Sequence, residues 1–241
     1  MSASASDAGA PRRTALIVGI LFLLTFVTAI AARALFGPIR DASNYLSGPD
    51  EDAQVALGAV FELGLIVTNI GTALFLYPLL QRQHRALSLG YVAARLVECT
   101  FIAIGLVSLL AVVLLRQQLG GTAGAESAIV ERALVAVYER SFLLGPGFIV
   151  GIGNGLILGY LMYRSELVPR GLALLGLIGG PLIVASGVAV MFDAIDAGST
   201  TQAIATVPEF LWELGLGLYL TFRGFRPSPI LSSSPPGGPS V

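Results

Sequence analysis

Six side chains in this sequence carry chemistry that a hydrocarbon interior does not take up without cause: Glu62, Asn69, Arg95, Glu98, Asn154 and Glu213. Each falls within a long apolar run. A charged group at the centre of a bilayer-crossing helix costs about 2.5–3.5 kcal/mol on insertion scales, so by default it marks a site. Arg95 and Glu98 are three residues apart and share one helix face. Glu62 and Asn69, seven apart, also share a face. At a rise of about 1.5 Å per residue, Glu62 and Glu213 lie roughly 10 Å from the outer boundary and Glu98 near the midplane; Arg95, Asn69 and Asn154 lie deeper. This pattern predicts a carboxylate-lined pocket in the outer half, floored by a guanidinium and two amides. Arginine keeps its charge, so Arg95 requires a partner. Glu98 is the nearest in sequence, which leaves carboxyls over for a proton or a ligand. Two readings follow. One is a small-solute or proton-coupled carrier; the other is a non-transporting membrane sensor or partner protein whose polar cluster only fixes helix packing.

The elements that must hold these groups follow from composition. Of 241 residues, 55% are apolar and 12% charged. A water-soluble domain carries about 25% charged residues, so a polytopic membrane protein is expected, with the lipid bilayer as its first partner. A crossing helix needs about 20 apolar residues. Runs of that kind cover about 14–36, 55–80, 87–115, 141–163, 169–192 and 207–223. The expected fold is therefore all-α, a bundle of six transmembrane helices over 14–225. It is flanked by a disordered N-terminus, 1–13, and a Pro/Ser/Gly-rich disordered tail, 226–241. Alternate connections, beginning with the N-terminus, hold eight arginines and two acids; the other side holds five arginines and ten acids, Glu209 among them. The positive-inside rule then puts both termini in the cytoplasm, and the chain in the inner (plasma) membrane. Arg12-Arg13 followed by an apolar stretch and Ala29-Ile30-Ala31 also resembles a cleavable signal, but that stretch exceeds the usual 7–15 residues.

Local signals refine the helices. Thr206-Val207-Pro208-Glu209 has capping-box spacing. It predicts that the last helix begins near Val207, with Glu209 as a structural cap. Ala125–Arg140 reads as a partly amphipathic helix, either lying on the outer surface or extending the fourth span, with a break at Gly145-Pro146-Gly147. Gly147, Gly151, Gly155 and Gly159 form a small-residue stripe for close packing. Gly180-Pro181 is a candidate hinge, because proline removes the helix bond to Leu177.

Other functions are disfavoured. One cysteine and one histidine make no zinc site. No basic run suits nucleic acid. No nucleophile elbow, metal motif or cofactor motif is present, so no enzyme activity and no cofactor are expected. Gly151-Ile-Gly153-Asn-Gly155 lies inside a span and lacks the strand–turn–helix context of a dinucleotide loop.

Several motifs stand in order along the chain: Phe61-Glu62-Leu63, Leu76-Tyr77-Pro78, Gly90-Tyr91-Val92-Ala93-Ala94-Arg95 with Glu98, Leu144-Gly145-Pro146-Gly147, Gly153-Asn154-Gly155, Leu167-Val168-Pro169-Arg170, Gly179-Gly180-Pro181 and Pro208-Glu209-Phe210-Leu211-Trp212-Glu213. Together they resemble the bacterial membrane proteins grouped as domain of unknown function 4386, over roughly Thr14 to Phe225. The resemblance implies a six-helix integral membrane protein and no assigned activity.

Overall fold

The structure is a computed structural model describing residues 5–41, 45–120 and 122–232. Among them no strand occurs. The chain order is α1 (Ala5–Leu35), α2 (Gly37–Asp41), α3 (Asp52–Leu119), α4 (Ala125–Leu144), two π-helical stretches (Gly145–Ile149 and Gly151–Leu158), α5 (Gly159–Ser165), α6 (Arg170–Met191), α7 (Thr200–Phe222) and α8 (Pro229–Ser232). Five continuous helical segments among the described residues are long and apolar enough to cross a membrane. Their outward faces are apolar: Val67 is 68% and Ile204 66% exposed, while Arg95 is 2% exposed. This inverts the pattern of a soluble protein, and the molecule is a membrane protein.

The two expected spans 55–80 and 87–115 are arms of one element. Within α3 only His84 leaves helical dihedrals (φ −155°, ψ 95°). Its Nδ1 accepts the Leu87 N–H at 3.2 Å, as an N-cap does, so one residue ends the first arm and starts the second. The arms run antiparallel. Cross-contacts fall symmetrically about His84: Arg116 donates to Asp52, the Cys99 thiol reaches the Ile66 carbonyl, Asn69 donates to Glu98, and the Thr72 and Tyr91 hydroxyls are 3.3 Å apart.

The segment 125–165 is a continuous helical run, so Ala125–Arg140 extends the fourth span and does not lie apart from it. The expected break at Gly145-Pro146-Gly147 is absent. Pro146 cannot donate to the carbonyl four residues back, and the chain answers by widening into i→i+5 turns rather than stopping. The last helix also corrects the sequence reading. It begins at Thr200, where Ser199 Oγ accepts from Gln202 N and Gln202 Oε1 accepts from Gly198 N. Ser199-x-x-Gln202 thus caps the helix, and Thr206 turns its hydroxyl back to Gln202 O. Glu209 is two turns inside, not at the cap.

Helix extends into both flanks expected to be disordered. α1 reaches back to Ala5, through alanines of high helix propensity. Arg12 donates to the carbonyls of Leu220, Thr221 and Phe222, where a cation complements a helix C-terminus. Beyond α7, Arg226 N donates to Leu167 O and Ser228 Oγ to Ser165 O. The rest of these two expectations, residues 1–4 and 233–241, lies outside the described residues. These contacts gather Arg12, the 166–169 turn and the end of α7 at one pole.

At the opposite pole Tyr45 donates to Asp52 at 2.6 Å, and Arg116 donates to the same oxygen at 2.8 Å. Burial, then the hydrogen bond to Asp52, push the Tyr45 phenol above its usual range. Its folded value therefore exceeds the unfolded one of about 10. The stability it links to is complete below that pH and is lost as pH rises beyond it. Melting curves above and below about pH 10 are expected to show a smaller alkaline loss in Tyr45→Phe than in the wild type; equal losses would refute the link.

Two apolar cores occupy the two poles. One holds Val18, Phe22, Leu76, Tyr91, Leu158 and Trp212; the other holds Phe36, Ile39, Val55, Leu109, Val112 and Tyr138. α1, both arms of α3, and the 125–165 run all pass from one core to the other. Asn69, Arg95, Glu98 and Asn154 fall on the stretches between them.

Candidate functional site

Between the two cores, side chains from α3, the second π-helical stretch and α7 meet. Arg95 Nη1 donates to Glu98 Oε2 at 2.8 Å. The i,i+3 spacing places both on one face of the second α3 arm. The other Glu98 oxygen accepts from Asn69 Nδ2 at 3.2 Å, from the facing arm. Arg95 Nη2 lies 3.7 Å from Glu213 Oε1, so the guanidinium bridges two carboxylates on different helices. Asn154 Nδ2 donates to Glu213 Oε1, and Trp212 Nε1 donates to Asn154 O at 3.0 Å. The guanidinium also lies 5.7 Å from the Phe22 ring centroid and 5.9 Å from that of Tyr91, within cation–π range. Arg95, Glu98 and Asn154 are buried, and 18% of the Glu213 side chain is exposed.

One turn before Glu213 on α7 lies Glu209, 2% exposed. Neither of its carboxyl oxygens has a hydrogen-bond partner. Its surroundings explain how it fits. A Cβ on Gly155 would stand 2.7 Å from Glu209 Oε2, and one on Gly179 would stand 2.9 Å from it. The two glycines clear a cradle for the carboxyl and offer it no donor. The remaining stripe is uneven. Gly151 packs on Gly180 and Ile183, and Gly159 packs on the backbone of α6 around Leu177. A Cβ on Gly147 would meet only ordinary contacts. Pro181 sits inside α6, with no non-helical residue beside it; the close approach is made by Gly180, not by a hinge at Pro181.

A cavity of about 170 Å³ opens onto this cluster, lined by all the long helices. Glu98, Glu209, Glu213, Arg95 and Asn69 form its polar part; Thr25, Phe26, Phe142, Val150, Ile183 and Phe210 are among its other walls. The lining thus sets three carboxyls against one guanidinium.

Of the six residues singled out from the sequence, Asn69, Arg95, Glu98, Asn154 and Glu213 come together. Glu62 does not. It is buried beside Tyr138 and near the Arg40 guanidinium, within the second apolar core, and one of its oxygens lacks a partner. Its seven-residue separation from Asn69 puts it two helical turns away, about 10 Å along the axis, so a shared face did not mean a shared pocket. Sequence reasoning missed Glu209, although its i,i+4 spacing to Glu213 places both on one face. It also missed Trp212, whose indole anchors the Asn154 backbone.

No curated protein and no solved structure matches the chain. A family model described as a domain of unknown function, DUF4386, matches residues 17–224, and the chain belongs to that family.

Proposed function

We propose that the protein is a carrier for a small solute, with no enzymatic step, in which Glu209 and Glu213 bind the proton or cation that moves with it. The observation that carries this reading is the partnerless Glu209 carboxyl beside a cavity with a carboxyl excess. If all three carboxyls ionised, Arg95 would offset only one of them. An uncompensated buried charge costs several kcal/mol, so occupation by protons or a cation completes the charge balance. The groups facing Glu209 are Glu213 on its own helix and Arg95 and Glu98 on α3. From α6 and the second π-helical stretch, Gly179 and Gly155 come closest to its carboxyl among the glycines, and Ile183 shares the cavity wall with it. The π-helical turns support the same reading, since such turns concentrate at functional sites. The chain then crosses the inner membrane six times, with the two arms of α3 counted separately. The pole holding Arg12 and the 166–169 turn is then cytoplasmic, as the arginine bias favours.

A second reading has its own support. Asn69 bonds Glu98, and Trp212 bonds the Asn154 carbonyl, as members of a purely structural network in a sensor or partner protein would, although Asn154 Oδ1 has no partner. Trp212, the sole tryptophan of the chain, separates the two. Its fluorescence in reconstituted protein is expected to follow pH in a single step that Glu209→Gln removes without loss of folded protein. A flat profile in the wild type, or an unchanged step in Glu209→Gln, would refute proton binding here.

A further inference from the structure

We propose that the occupant of the central cavity is a small protonated amine with an apolar body about the size of one ring, held against Glu213 and Glu209. This names the solute class for the carrier reading above and rests on it. Size comes first. An apolar cavity of about 150 Å³ accepts one benzene molecule, and this one is about 170 Å³. Wall chemistry comes second. Phe26, Phe142, Phe210, Val150 and Ile183 line it, and they suit a hydrocarbon or aromatic body and poorly suit a hydrated ion. Among the described residues, the three cavity carboxyls included, no three His, Cys, Asp or Glu side chains are placed to hold one metal ion.

The sign of the charge comes third. Glu209 has no donor on either oxygen, and Glu213 shows an exposed edge to the cavity. An ammonium brings three donors, and phenyl faces favour a cation beside them. An anion would have to approach Arg95, whose Nε lacks a partner but whose two Nη groups Glu98 and Glu213 already flank at 2.8 and 3.7 Å, and it would sit beside three carboxyls. A neutral molecule of the same shape would leave the carboxyl excess unanswered.

The probe is benzylamine, compared with benzyl alcohol and benzoate, on full-length protein in detergent at neutral pH. Binding is read by Trp212 fluorescence and by the melting temperature. Benzylamine is expected to saturate and to raise the melting temperature; the alcohol and the anion are expected to do neither. Glu209→Gln is expected to weaken binding about tenfold or more, equivalent to about 1.4 kcal/mol. Ala29→Phe keeps every carboxyl and fills the cavity from α1, and is expected to abolish binding even should Glu209→Gln fold poorly. No response to benzylamine, an equal response to benzyl alcohol or benzoate, or binding untouched by Ala29→Phe would overturn the amine assignment. The pH step of Trp212 is measured without amine, so its persistence in that event would leave proton binding standing. Its absence alongside amine binding would instead refute proton binding alone.

Discussion

Arg95→Ala is expected to leave little folded protein. Arg95 is the one cation in the central cluster, 2.8 Å from Glu98 and 3.7 Å from Glu213. Removing one partner of a buried ion pair costs about 3–5 kcal/mol, because the other charge stays behind. Here two carboxylates stay behind, with Glu209 one turn away. Total stability in folded proteins is about 5–15 kcal/mol, so the loss is a large share of it. Arg95→Lys is expected to fall between, since one ammonium cannot reproduce the planar fork that reaches two carboxylates. The yield of monodisperse protein and its melting temperature in detergent check both variants. Normal values for Arg95→Ala would mean that the guanidinium does not hold the cluster together.

Gly155→Ala carries the second large effect. The added methyl would lie 2.7 Å from Glu209 Oε2 and 2.8 Å from the Gly180 backbone nitrogen. Backbone cannot swing aside as a side chain does, so the 125–165 run and α6 must part or the carboxyl must leave its cradle. Overpacking of this kind costs about 1–3 kcal/mol. The control is Gly171→Ala in the first turn of α6, where nothing lies within 4 Å; it is expected to be neutral or slightly stabilising. Equal melting temperatures for the two variants would contradict the cradle.

Most of the fold is legible in the sequence because the bilayer imposes length and apolarity on every crossing element. The six apolar runs fall in five helical segments, two of them in α3, and the Arg95–Glu98 pair follows from i,i+3 spacing alone. What was hidden depends on competition between equivalent local signals. Ser199-x-x-Gln202 and Thr206-x-x-Glu209 have the same capping spacing, and only packing decides between them. Choosing the second made Glu209 a cap and concealed the least satisfied carboxyl in the cluster. Glu62 failed in the other direction. Two turns along the helix from Asn69, it lies in another core beside Tyr138. The widening at Pro146 was hidden as well, because a proline that breaks a helix and one that is absorbed into π turns look alike in sequence.

Convergence of Arg95 and Glu213 from two different helices underlies the site, the carrier reading and the amine assignment alike. A double-mutant cycle of Arg95→Met and Glu213→Gln, read by unfolding free energy in mixed micelles, measures it directly. Residues in contact show interaction energies of about 0.5–3 kcal/mol, whereas distant ones add within about 0.3–0.5 kcal/mol. The expected result is a coupling of at least about 1 kcal/mol, with the double variant less damaged than the sum of the singles; simple additivity would contradict a shared interior site.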